Sequence, residues 1–165
     1  MSGFEPSDSI RNDLMSQAQR RLALADSKIA VIETVRETAR GICKSDGITF
    51  VLRDGEMCHY VEEDAIGPLW KGQRFPLSAC ISGWSMLSGQ TAVITDVFND
   101  PRIPYDAYLP TFVKSLIMTP VGDSRVAAMG AYWKEKRIFG DLEVITVKAY
   151  SAIIGKALSD LLSRD

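Results

Sequence analysis

Between Leu69 and Val121 the sequence keeps no helical or strand period, yet it stays apolar. This stretch holds two of the three Trp and five of the seven Pro. Short apolar pieces, Thr91–Val97 and Ser115–Val121, flank a passage rich in Pro and Tyr, Asn99–Pro110. A segment so long and irregular, but too apolar for a disordered linker, is usually a functional loop packed by its own side chains. We read it as a lid over a cavity.

The flanking sequence is periodic. Ile10, Leu14, Ala18, Leu22, Ala25, Ile29, Ile32, Val35 and Ala39 recur in steps of three and four, the signature of a helix. A polar start over residues 1–8 is expected to be disordered, with Ser7 or Ser9 as the first cap. Asp26-Ser27 can cap a second helix, so a break is expected near Asp26. The stripe Ile10–Leu22 has no evident place in the core, and a seam with a partner chain is its expected use. Ile48–Arg53 and Glu56–Val61 read as a hairpin through Asp54-Gly55. Glu62–Gly67 reads as a polar connection and Gly72–Phe75 as a short strand. Ser78–Leu87 reads as a helix capped at Ser78, and Thr91–Ile94 as a strand. Val113–Val121 and Arg125–Trp133 form a second hairpin, whose small residues let something approach the sheet. The last helix opens at Gly140-Asp141 and runs to about Ser163, with apolar stripes on two sides.

A chain of 165 residues is long enough to bury a sizeable core. Net charge is −2, and the basic residues are scattered, so no nucleic-acid face is expected. No apolar run reaches the roughly 18 residues of a membrane span. The N-terminus is too polar for a signal peptide, so a cytoplasmic location is expected. Cys43, Cys58 and Cys80 are too widely spaced for a disulfide framework or a CxxC metal site. The single histidine, His59, rules out a multi-histidine zinc site.

The order of elements, the segment Arg74–Ile103 (RFPLSACISGWSMLSGQTAVITDVFNDPRI) and the pair SLIMTPV and VAAMGAYW carry a resemblance. From about Ile29 to Leu162 the chain resembles GAF domains, especially those of HWE-type bacterial sensor histidine kinases. Gly83, Gly89, Asp96 and Asp100-Pro101-Arg102 match that pattern. The resemblance implies an α+β fold: an antiparallel sheet, long terminal helices on one face, and a lid over a pocket on the other. Residues 26–165 would be the GAF domain and 1–25 a helical extension serving as a dimer seam. It implies a sensory domain that binds a small molecule and signals through its terminal helices, as a homodimer, to a histidine kinase or other partner. No output domain lies within these residues, so the module would act in trans or belong to a longer chain. A ligand-free interaction module is the alternative.

Expected pocket walls are Phe50, Trp70, Phe75, Trp84, Tyr105, Tyr108, Phe112, Met118 and Tyr132, aromatic and apolar as small-molecule pockets are. Ser82, Asp96, Arg102, Asp106, Thr111, Lys114 and Ser115 are the polar groups that could converge there, with Cys80 near the pocket mouth. Arg102 has a structural alternative, pairing with Asp96 or Asp100 to pin the lid. Bilin is not expected, because the Cys-His pair of bilin-binding GAF lids is missing from Pro104–Leu109. Haem is not expected either, His59 being a surface or core residue. A third reading is thiol-dependent reduction of free methionine sulfoxide. The related enzymes carry a cysteine where Ser82 stands and another in the lid. With both missing, Cys80 reads as a small buried thiol, Cys43 and Cys58 as structural, and the chain as no enzyme.

Overall fold

The computed structural model describes residues 6–123 and 125–163. Most of the polar start, residues 1–5, lies outside this range. Helix α1 spans Pro6–Leu24 and α2 Lys28–Cys43. The break falls where the sequence places it: Ser27 is extended and its hydroxyl accepts from the Ala30 amide at 3.1 Å, an N-cap. The first helix starts ahead of Ser7 and Ser9, at Pro6, a residue suited to a first turn because its missing N–H would be unpaired there anyway.

Six strands follow: β1 Gly47–Asp54, β2 Met57–Ala65, β3 Arg74–Pro76, β4 Ala92–Ile94, β5 Ser115–Pro120 and β6 Ala127–Trp133. They form one antiparallel sheet in the order β3-β2-β1-β6-β5-β4. Between β3 and β4 come a 3-10 turn at Leu77–Ala79 and α3, Ile81–Ser88. The lid holds α4, Tyr105–Tyr108, and the chain closes with α5, Asp141–Leu162. This is the α+β architecture that the sequence implies.

The sheet separates two cores, because alternate side chains along a strand face opposite sides. Helices α1, α2 and α5 cover one face, burying Val31, Val35, Ile42, Val147 and Ile154 against Ile48, Phe50 and Met129. Ala18 and Leu22 of α1 are buried in this same core and Leu14 packs against it, while Ile10 stays exposed. The other face carries α3 and the lid, with Leu116, Met118, Ala128 and Tyr132 beneath Ile81, Met86 and Ile103.

Two local features differ from the sequence reading, each for a physical reason. Strand β2 continues to Ala65 through the acidic run. There Glu62 pairs with Lys71 and Arg36, and Asp64 with Arg40. The register shifts at Phe50/Val51, leaving Val61 as an extra residue, a bulge. Helix α3 starts later than Ser78, because the 3-10 turn intervenes and Cys80, extended, takes the N-cap position. A Cβ on Gly83 would overlap the Leu77 carbonyl, so a glycine there lets α3 lie directly on that turn.

Candidate functional site

The site lies under the lid, where β2, β3, α3 and α4 meet. Cys58 and Tyr60 are two apart on β2 and share its lid-facing side. Cys58 stands opposite Phe75 of the edge strand β3. From there the 3-10 turn, held by the Leu77 amide donating to the Glu56 carbonyl at 3.0 Å, doubles the chain back. It returns Cys80 beside Cys58, with the two Sγ atoms 3.1 Å apart. Both cysteines are buried, Cys58 fully and Cys80 at 7% exposure.

A polar line runs on from this pair. Cys80 Sγ is 3.3 Å from Ser82 Oγ, which is 2.9 Å from the Tyr60 hydroxyl. The hydrogen bond between the two thiols, with help from Ser82 and the α3 backbone amides of Ser82 and Gly83, lowers the Cys80 thiol to about 6 against burial. Such lowering is expected of a thiolate at a helix start. The same bond, followed by burial, pushes the Cys58 thiol upward. The opposite directions of these shifts make Cys80 the sulfur that gives up its proton first.

Cys80, Tyr60, Trp70, Phe75, Pro104, Ala107 and Tyr108 line a narrow chamber with a free volume of about 10 Å³, near the least that admits one water. Trp70 is its keystone. Its ring lies 4.7 Å from Tyr108, 5.5 Å from Tyr132 and 5.6 Å from Tyr60, and its Nε1–H donates to the Ala107 carbonyl of the lid at 3.0 Å. The Trp70 backbone is held by Glu63, whose carboxylate accepts from the amides of Leu69, Trp70 and Lys71 at 2.8–2.9 Å. The bulge puts Glu63 on the same side as Tyr60. The Tyr108 hydroxyl is buried and has no hydrogen-bond partner among the described residues.

Of the residues expected from sequence, the chamber gathers Trp70, Phe75, Cys80 and Tyr108, with Ser82 and Tyr132 just behind them. Phe50 belongs to the helical core on the opposite face. Met118 is fully buried beneath α3 and the lid. Phe112 packs over Gly47 and Gly67, and Ser115 donates to the Glu135 carbonyl. Tyr105 is exposed and rests on Phe98, and Asp106 is exposed. Asp96 caps the turn at Val97–Asn99 and pairs with Lys136. Arg102 makes a two-pronged pair with Asp100 at 2.7 and 3.0 Å and stacks over Trp84 at 4.5 Å. That is the lid-pinning alternative.

Sequence reasoning missed Cys58 and Tyr60. Alternation along β2 already sets them on one face, but only the return of the chain after β3 shows what that face meets.

No protein-family model matches this sequence, and no curated protein matches it. Among solved structures the chain is similar to a free methionine-R-sulfoxide reductase from Neisseria meningitidis, in complex with its substrate. The TM-score is 0.80 at 15% identity, over 100% of this chain and 97% of that one. It is also similar to a putative GAF sensor protein from Burkholderia vietnamiensis, with TM-score 0.77 at 15% identity over 98% and 100%. A third is the GAF domain of an Acinetobacter phosphoenolpyruvate-protein phosphotransferase, with TM-score 0.76 at 12% identity over 99% and 98%. These likenesses correct the expectation that the chain is no enzyme: the fold is one that sulfoxide reductases share with GAF sensors. The thiol that stands beside Cys80 is Cys58. At these identities the likeness concerns architecture, and by architecture the chain is a GAF-fold domain.

Proposed function

We propose that this is a sensory GAF domain that admits a small molecule beneath its lid and relays its presence to the terminal helices. The observation that carries the reading is the Tyr108 hydroxyl, buried in the chamber wall without a partner among the described residues. Leaving such a group unpaired costs about 1–3 kcal/mol, which a ligand acceptor would recover. Entry of anything larger than a water requires the lid to lift, since the chamber's free volume is only about 10 Å³. Helices α1 and α5 then carry the signal, to a histidine kinase or another partner, across a homodimer built on their exposed faces. The test is Tyr108→Phe. It should leave the ligand-free protein as stable or slightly more so, while weakening any small molecule retained from cells, as read by native mass spectrometry. Equal retention by both proteins would refute the assignment.

The 3.1 Å thiol pair favours a second reading, dithiol reduction of a small sulfoxide. Cys80 sulfur would attack the sulfoxide sulfur and Cys58 would complete the disulfide, releasing sulfide and water. Turnover of free methionine sulfoxide with dithiothreitol, lost in both Cys58→Ser and Cys80→Ser, tests it. No turnover by the intact protein would discard it.

A further inference from the structure

We propose that Cys58 and Cys80 form a redox-modification site, joining under a hydroperoxide in a reversible disulfide within the chamber wall. Three observations support it and none depends on the ligand reading. The sulfurs are 3.1 Å apart, so closing to a bond of about 2.05 Å moves them by roughly 1 Å. They come from different elements, β2 and the residue before α3, so the bond ties sheet to helix. Both are buried, which disfavours pairing between chains.

The two sulfurs differ in access. Cys80 lines the chamber and Cys58 lies behind it. Cys80 carries Ser82 Oγ and the start of α3 beside it, the surroundings of a thiolate. Cys80 therefore attacks the peroxide: its sulfur takes one oxygen, the O–O bond breaks, and an alcohol or water leaves. Cys58 sulfur then attacks the resulting sulfenic acid, the S–O bond breaks, and the oxygen departs as water with the remaining proton. Two thiols are oxidised by two electrons and one peroxide is reduced. The new bond withdraws Cys80 from Ser82, whose other partner is the Tyr60 hydroxyl in the chamber wall, so the oxidation state is felt where the ligand would sit.

Cys43 is the internal control. It lies in the helical core on the far side of the sheet, and burial pushes its thiol up to about 12. The experiment treats the reduced full chain with a small excess of hydrogen peroxide, quenches in acid, alkylates under denaturation and maps tryptic peptides. We expect loss of two hydrogen masses from the monomer and a cross-link between peptides Asp54–Lys71 and Phe75–Arg102, reversed by dithiothreitol. Cys58→Ser should instead leave a dimedone-reactive sulfenic acid on Cys80, and Cys80→Ser should leave Cys58 reduced. If either variant fails to fold, the cross-link in the unmutated chain still decides. Cys58 and Cys80 both fully alkylated after peroxide, a bond to Cys43, or a bond between chains would each overturn the proposal. A cross-link that forms while Tyr108→Phe retains ligand normally would sink the ligand reading and keep this one.

Discussion

Glu63 gives the sharpest test of how the lid is held. Its carboxylate accepts three consecutive backbone amides: Leu69 on one oxygen, Trp70 and Lys71 on the other. Glu63→Ala removes all three bonds at once. Hydrogen bonds to a charged group are worth about 1.5–3 kcal/mol each, but the three do not count equally. Lys71 is exposed and water replaces its bond. Leu69 and Trp70 are buried at 8% and 4% exposure, so their amides are left short of partners. Because Glu63 is itself half-buried and one oxygen serves two amides, we expect a loss of about 2–4 kcal/mol. At roughly 2–4 °C per kcal/mol for a chain of this size, the midpoint falls by about 5–15 °C. Glu63→Gln keeps one acceptor oxygen but turns an NH₂ toward the remaining amide, so roughly half that loss follows. Urea unfolding followed by Trp fluorescence measures the stability, and hydrogen exchange at Leu69, Trp70 and Lys71 locates it. A Glu63→Ala protein within about 0.5 kcal/mol of wild type, with those amides still protected, would refute the claim that this carboxylate holds the chamber roof.

Further outcomes are expected. Gly83→Ala drives a methyl into the Leu77 carbonyl and should destabilise by about 1–3 kcal/mol in urea; a neutral result would mean α3 does not rest on that turn. Iodoacetamide should label Cys80 in the folded protein with a rate that rises through about pH 6, and Cys58→Ala, which removes its thiol partner, should move that rise toward 9. The groups facing it from other elements are Tyr60, Tyr108 and Tyr132, all held protonated by burial. The lowered Cys80 thiol by itself contributes stability that is complete above about pH 9 and lost as pH falls through about 6, while the raised Cys58 thiol opposes it as pH rises beyond about 9. Any ligand-linked fluorescence change should come from Trp70 in the chamber wall and vanish in Trp70→Phe; persistence of the full change would place the ligand elsewhere. Sedimentation should show a dimer that Ile145→Asp, on the exposed face of α5, weakens; a monomeric wild type would remove the homodimer.

The sequence by itself determined the elements and their layers. Steps of three and four made the long helices, and Asp26-Ser27 marked their break. Asp54-Gly55 made the first hairpin, with Gly55 at φ 62°. The irregular, aromatic stretch after Leu69 marked the lid, because such a passage has nothing to do in a compact domain except cover something. Trp70, Phe75, Cys80 and Tyr108 were legible as chamber residues on the same ground. What the sequence could not show was which sides of those elements meet. Phe50 faces the helices because of where it falls in the β1 alternation, and Asp96 and Arg102 are consumed by local caps and pairs. The bulge at Val61 sets the side that Glu63 faces. Cys58 and Cys80 are 22 residues apart, and no local pattern links them. They meet only because β3 pairs with β2 and a 3-10 turn delays α3 until Cys80 reaches its N-cap. A thiol's chemistry depends on what stands within a few ångströms, and tertiary packing alone fixes that distance.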